Sequence, residues 1–234
     1  MSDSITNLPT HLAFIMDGNG RWAKKLNKTR TYGHREGAER LKDIIKATVQ
    51  KKISYVSFFA FGLENWKRPT SETNFIWNLV KVILTKKVLK WFQDNNVRFK
   101  WIGFREDYKI SPEISKILNE TQTFTKNFTG TTVCLVMNYS GEADILQVVK
   151  KYVLNPSLEV DQKTFSSQLL TAEIPDVDLL IRTSGEQRIS NFMLWQIRYS
   201  ELIFSDVLWP DFNAIELDKC LAEYANRNRR FGGL

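Results

Sequence analysis

Apolar and polar positions follow one another along this chain in two rhythms, and their succession sets the fold class. Short apolar runs at Leu12 to Met16, Tyr55 to Phe61, Val97 to Ile102, Thr132 to Met137 and Val177 to Ile181 read as strands, with a sixth near Leu202 to Phe204. Helical patterns lie between them. After Gly37, the residues Ala38, Leu41, Ile44, Ile45 and Val49 repeat at i, i+3, i+4 and i+7. A longer helix is predicted from about Glu72 to Asn95, with Ser71 ahead of its start and Asp94-Asn95-Asn96 at its stop. Strands alternating with helices predict an α/β fold built on a mainly parallel sheet. No repeat, low-complexity tract or Pro/Gly-rich linker divides the chain, so residues 1–234 are expected to form a single domain.

The predicted long helix is too greasy for a surface element. Ile76, Leu79, Val80, Ile83 and Leu84 form one stripe, and Phe75, Val82, Leu89 and Phe92 spread outside it. A surface helix needs only one apolar stripe. The excess must meet neighbouring core, a partner subunit, a lipid or an apolar ligand channel.

Composition narrows the partners. Lysine and arginine number 33 against 26 acidic residues, a net charge of +7, which favours a nucleic acid, a phosphorylated metabolite or an acidic membrane surface. A hydrophobic share of 43% with seven Trp and fifteen Phe excludes a disordered chain. Cys134 and Cys220 lie far apart without the partners a zinc site requires, and no disulfide framework is implied, which suits the cytosol. Met1 to Asn7 shows neither a basic leader nor a long apolar stretch, and no run approaches the roughly 18 apolar residues of a spanning helix. The expectation is a cytoplasmic protein with at most peripheral membrane contact.

Three polar clusters follow predicted strands. The first is His11-Leu12-Ala13-Phe14-Ile15-Met16-Asp17-Gly18-Asn19-Gly20-Arg21-Trp22-Ala23, where a strand ends in a carboxylate, a glycine-rich turn and an arginine. Glycines there let backbone N–H groups approach an anion, and Arg21 supplies a charge-assisted fork. Asp17 would repel that phosphate unless a cation lies between them, and Mg²⁺ favours carboxylate plus phosphate oxygens. Gly18-x-Gly20-x-x-Ala23 also fits a dinucleotide fingerprint, but the acidic residue due about 20 positions on falls in a helical pattern. The second cluster runs from Phe58 to Pro69 and includes Glu64-Asn65-Trp66-Lys67-Arg68. In the third, Arg182, Arg188 and the Ser190 hydroxyl are able to hold a second diphosphate. In a parallel sheet such strand ends share one edge, so the three clusters suit two anionic substrates.

On these residues the chain resembles the cis-prenyltransferases, and most closely bacterial undecaprenyl diphosphate synthases. The matching pieces are His11 through Lys25, Tyr32-Gly33-His34-Arg35-Glu36-Gly37-Ala38, Glu64 through Pro69, Asn138-Tyr139 and Val177 through Trp195. Ser200-Glu201-Leu202, Asp206 through Phe212 and Arg229-Arg230-Phe231-Gly232-Gly233 continue the pattern in family order. The resemblance implies a homodimer, a six-stranded, mainly parallel sheet flanked by helices, and a hydrophobic product tunnel. The implied reaction condenses isopentenyl diphosphate units onto an allylic diphosphate with Z geometry, using Mg²⁺. Asp17 is then the metal-binding catalytic carboxylate and Asn65 holds the position assigned to a proton acceptor. Gly18, Asn19, Gly20, Arg21 and Arg30 correspond to the allylic diphosphate pocket, with Trp22 and His34 beside it, and Glu64, Trp66 and Arg68 flank Asn65. Arg182, Arg188 and Ser190, with Ile189 between them, correspond to the isopentenyl diphosphate site. Glu201 corresponds to a second Mg²⁺ contact, reached from the partner subunit.

Some positions depart from the family pattern. Gly62-Leu63 stands where two serines are usual, Gln187 where a histidine often assists the metal, and Glu142 where an arginine is common. The chain has no Asp-Asp pair, as the aspartate-rich trans-type synthases would need. Two other readings stay open at this level: a catalytically weak accessory subunit, and an RNA-binding module using Phe58, Phe59, Phe61 and Trp66 beside Lys67 and Arg68. Against RNA, Asp17 and Glu201 would repel a polyanion. Arg229 and Arg230 either complement a helix terminus with Gly232 as cap, or reach a neighbouring active site.

Overall fold

The computed structural model describes residues 7–227. Strand β1 (His11–Ile15) leads into α1 (Asn19–Lys25) and α2 (Arg30–Gln50), then β2 (Tyr55–Gly62) and a 3₁₀ turn, Leu63–Lys67. Next come α3 (Thr70–Ile83), α4 (Lys86–Asp94), β3 (Arg98–Ile102), α5 (Pro112–Thr125), β4 (Thr132–Tyr139), α6 (Gly141–Leu154) and α7 (Gln162–Ser167). The chain continues through β5 (Leu179–Arg182), β6 (Glu201–Phe204) and α8 (Ala214–Ala225). All six predicted strands form, in the order β3-β4-β2-β1-β5-β6, and every neighbouring pair is parallel. Alternation decides which face each side chain joins. Leu12, Phe14, Val56 and Phe58 enter the larger core with α2, α3, α5 and α8, while Ala13, Ile15 and Cys134 face a second cluster with Phe192 and Met193. The Phe14 and Phe58 rings stack at 5.2 Å across the β1–β2 pair.

Two helix predictions need correction. The pattern read from Gly37 belongs to a helix that begins at Arg30, capped by the Thr29 hydroxyl, which accepts from the Tyr32 N–H. The long helix is two helices. Leu84 leaves helical backbone (ψ 55°), and the Thr85 hydroxyl accepts from the Val88 N–H to start α4. Apolar residues continue through the break, so periodicity alone runs across it. Pro69, not Ser71, is the cap residue of α3, and it offers no side-chain bond. Arg229, Arg230 and Gly232 lie outside the described residues.

Polar groups, His11 and Ser57 buried and Asp178 half-buried, pin the sheet from its amino-terminal end. Asp178 Oδ2 accepts from the Thr10 and His11 N–H groups, joining the chain before β5 to β1. The His11 ring makes 2.8 Å bonds to the Pro175 carbonyl and the Ser57 hydroxyl. Burial lowers its pKa to about 4, so the imidazole is neutral, donating to Pro175 and accepting from Ser57. At the opposite end, register shifts between Phe59 and Gly62 bend β2 just where it enters the 3₁₀ turn carrying Asn65.

Candidate active site

Strands β1 and β5 are neighbours whose onward connections diverge, β1 toward β2 and β5 toward β6, so a crevice opens beyond their carboxyl ends. Asp17 lies two residues past β1, and Arg182 ends β5 level with Ile15. The Arg182 side chain is only 4% exposed. It donates to the Arg188 carbonyl at 2.5 Å, the Ser190 hydroxyl at 2.7 Å and Asp17 Oδ2 at 2.9 Å. The Gly18 N–H donates to Asp17 Oδ1 at 2.7 Å. Burial pushes the Asp17 carboxyl up, but hydrogen bonds from Arg182 and Gly18, with the charges of Arg182 and Arg21, outweigh it and hold the pKa below the usual range. Asp17 is therefore an anion at neutral pH. Gly18 takes φ 111°, a left-handed conformation that costs glycine little, and a Cβ there would press on Leu208 at 3.0–3.1 Å.

The loop after Arg182 is strained. Ser184, Ser190, Asn191 and Met193 have φ between 45° and 82°, each costing about 1–3 kcal/mol. Arg182 ties the loop from inside, and the Asn191 amide donates to the Ser140 hydroxyl and to Glu64. Ser190 and Arg188 are thereby presented to the crevice.

Helices α2 and α3 form the facing wall. Arg30 and His34, one turn apart on α2, converge with Arg68 on Oε1 of Glu72, at 3.2, 3.3 and 3.1 Å respectively. Burial pushes the Glu72 carboxyl up, but Arg30, the bond from His34 and the charge of Arg68 outweigh it and keep it ionised. Burial lowers the pKa of His34, which is neutral at pH 7. Close approach of α1 to this wall needs Gly33, where a Cβ would fall 2.0 Å from the Asn19 carbonyl. Asn65 enters from the 3₁₀ turn. Its Oδ1 accepts from the Gly62 N–H at 2.9 Å, which leaves the Nδ2 donors for a ligand. An amide held this way is a donor and not a proton acceptor.

These walls enclose a cavity of about 430 Å³. Asp17, Gly18, Asn19, Gly20, Arg30, His34, Asn65, Arg68, Arg182, Arg188 and Ser190 line its polar part, while Leu41, Ile76, Leu79, Val80, Ile83 and Leu135 line an apolar part. Other predicted residues lie elsewhere. Arg21 borders the site, donating to Ser184 and pairing with Asp17 at 3.6 Å and Glu186 at 3.2 Å. Trp22 turns outward, stacked on Tyr32 and donating to Asp211. Glu64 accepts from Asn191, and Ile189 packs against the second core cluster. Trp66 donates to Asn138 at 2.7 Å and stacks on Trp77, so it supports the turn from behind. Glu201 begins β6 level with Leu179, held by Arg227 at 2.9 Å. Three residues separate that level from Arg182, about 10 Å along the strand, so this chain does not bring Glu201 to Asp17.

A wall rich in arginine and polar groups and an apolar wall thus share one cavity. Residues 15–232 match the prenyltransferase family model described as "Putative undecaprenyl diphosphate synthase". The chain belongs to this prenyltransferase family. It is 42% identical over 227 residues to an isoprenyl transferase of Neisseria meningitidis serogroup A, covering 97% of this chain and 90% of that protein. The isoprenyl transferase of Chlorobaculum tepidum is 44% identical over 232 residues, covering 96% and 86%. A crystal structure of lavandulyl diphosphate synthase from Lavandula x intermedia, in complex with dimethylallyl diphosphate, superposes with TM-score 0.90 at 32% identity, covering 99% of this chain and 100% of that one. A probable undecaprenyl diphosphate synthase from Campylobacter jejuni gives TM-score 0.80 at 30% identity, covering 97% and 100%.

Within this prenyltransferase the RNA-stacking alternative loses its platform, because Phe58 and Phe61 are buried and Phe59 stacks on Phe192. Among the described residues no group of three or more His, Cys, Asp or Glu could hold a metal alone. One ionised carboxylate, Asp17, lining a cavity that Arg30, Arg68, Arg182 and Arg188 also line, fits Mg²⁺ shared with the oxygens of an anionic ligand, which needs only one or two protein carboxylates. Sequence reasoning missed Glu72 as a site residue. Its visible signal was the Arg68–Glu72 spacing of four at a helix start; its partners on α2 are visible only in three dimensions.

Proposed function

We propose that this prenyltransferase extends an allylic diphosphate, farnesyl diphosphate in the first instance, by successive isopentenyl diphosphate units with Z geometry. The product is then a polyprenyl diphosphate of the undecaprenyl class, a precursor of the cell-wall lipid carrier. One observation carries the reading: a cavity whose cationic mouth continues into an apolar pocket walled by α3. Arg30, Arg68 and the turn at Gly18–Gly20 receive the allylic diphosphate, and Arg182, Arg188 and Ser190 orient isopentenyl diphosphate beside it. Holding both in line removes much of the entropic barrier, and the arginines stabilise charge developing on the departing diphosphate. Mg²⁺ on Asp17, when bound, neutralises diphosphate charge. Asn65 donates a hydrogen bond that orients a diphosphate or water, and the hydrocarbon leaves water for Leu41, Ile76, Val80 and Ile83 as it grows.

The distance between Glu201 and Asp17 supports a second copy as the source of the second carboxylate. An exposed apolar stripe on α6, Leu146, Val149 and Val153, offers a surface for it. No helix among the described residues is long and apolar enough to cross a membrane. A cytoplasmic homodimer that touches the membrane peripherally to release its product completes the proposal. The decisive experiment incubates the protein with farnesyl diphosphate, labelled isopentenyl diphosphate and Mg²⁺, and reads product length by chromatography. Dimethylallyl diphosphate as primer forms a second arm. Label remaining entirely in isopentenyl diphosphate with either primer would end this reading.

A further inference from the structure

Arg30, His34 and Arg68 line the cavity; Glu72, to which all three are bonded, does not. The carboxylate therefore stands behind the cations. We infer that Glu72 is a positioning residue, whose single Oε1 gathers Arg30, His34 and Arg68 into one receptor for the diphosphate of the allylic substrate. The inference rests on the function proposed above and adds a residue to its binding site.

A simpler reading makes Glu72 an acidic residue in the first turn of α3, complementing the helix dipole. That role asks only for a charge near the helix start. It leaves unexplained why the side chain is 12% exposed and spans to a second helix, where Arg30 and His34 are successive turns of one face. Arg30 is 62% exposed and Arg68 35%, so neither guanidinium is confined by packing. Without a shared anion their like charges repel, and the long side chains spread over many rotamers. With it, both forks are held at the cavity wall before substrate arrives. His34 is fixed by the same atom. An ionised Glu72 accepts a hydrogen bond from Nε2, so Nε2 carries the proton and Nδ1 is the bare acceptor nitrogen.

The test compares Glu72→Ala and Glu72→Gln in the full chain, varying each substrate in turn. Calorimetry with farnesyl thiodiphosphate, an allylic analogue with a poor leaving group, measures binding without turnover. Glu72→Ala is expected to raise the KM for the allylic diphosphate and the Kd for the analogue about tenfold, with the KM for isopentenyl diphosphate within twofold of wild type. Glu72→Gln keeps an acceptor oxygen without the charge, so it falls between the two. If the alanine variant fails to fold, the glutamine variant carries the same split at smaller size. Glu72→Ala and Arg30→Ala combined should cost less than the product of the single effects, because both disrupt one array. Equal KM changes for both substrates, an unchanged analogue Kd in both variants, or strictly multiplicative double-variant effects would each overturn the inference. If wild type condenses neither primer, the proposed reaction fails; the analogue Kd still decides the role of Glu72.

Discussion

On the β1–β5 side of the cleft the central cation is buried, hydrogen-bonded to three acceptors and tied to a strained loop. On the α2–α3 side two half-exposed arginines meet at one carboxylate. Both sides present guanidinium groups to the cavity, yet they reach that state differently. Arg182 is set by the sheet, since its strand fixes its level and its partners fix its rotamer. Arg30 and Arg68 are set only by a side chain on another helix. The reaction proposed above, in which one substrate keeps its geometry while the other lengthens, would be served by one rigid receptor and one adjustable receptor.

Removal of Asp17 should break the rigid side most completely. Asp17→Ala deletes the only carboxylate among the described residues that line the cavity, and the partner of Arg182; kcat should fall by about 10³-fold or more in a protein that still folds. Near-normal turnover by that folded variant would remove Asp17 from the mechanism. Acid attacks the same side from the far end of β1. His11 has its pKa lowered from 6.5 to about 4 by burial, so the unfolded chain binds the proton first as pH falls. Its contribution is complete above pH 6.5 and is lost on descending toward 4, amounting to about 3 kcal/mol. His34, the only other histidine, acts in the same direction. Urea unfolding of wild type and His11→Gln across that window checks this: the variant should show the flatter pH dependence.

The arginines then grade the two sides directly. Arg182→Ala and Arg188→Ala should raise the KM for isopentenyl diphosphate, with Arg182 near the upper end of the roughly 1.5–3 kcal/mol expected for a charge-assisted contact. Arg30→Ala should raise the KM for the allylic substrate, nearer the lower end because the group is exposed. Equal weakening of both substrates by all three would merge the two receptors into one. The smallest energetic effect, yet a visible one, should come from the apolar wall. Val80→Trp, with Ile76, Leu79 and Ile83 scanned likewise, should shorten the dominant product while the first condensation continues. Wild-type product lengths throughout would make α3 plain core.

Much of this was legible in sequence because β-strands deliver chemistry at a fixed place. Asp17, Asn65 and Arg182 follow apolar runs whose ends must share one sheet edge, and the fold brings all three to one cavity. The break at Leu84-Thr85 was hidden because no glycine or proline marks it, only a threonine whose capping bond requires the backbone already to have turned. Leu84, the residue at which α3 ends, stays outside the cavity that Ile76, Leu79, Val80 and Ile83 line. Trp22 was misplaced because Asp211, its partner, is 189 positions away. Glu72 was overlooked because two of its three partners lie 38 and 42 residues back.

The strand order has a consequence for how the chain is made. Strand β1 lies between β2 and β5, and Leu12 is level with Leu179, a partner synthesised 167 residues later. Until then, a nascent chain holding β1, β2 and β4 exposes the β1 edge, with its unpaired N–H and C=O groups. Asp178, which fastens Thr10 and His11, is equally late. Parallel pairing across so long a loop is slow to nucleate, so the ribosome-bound intermediate carries four of the six strands with β1 as an open edge. Chaperone dependence during synthesis, and refolding yields that fall with protein concentration, follow from the position of one five-residue strand.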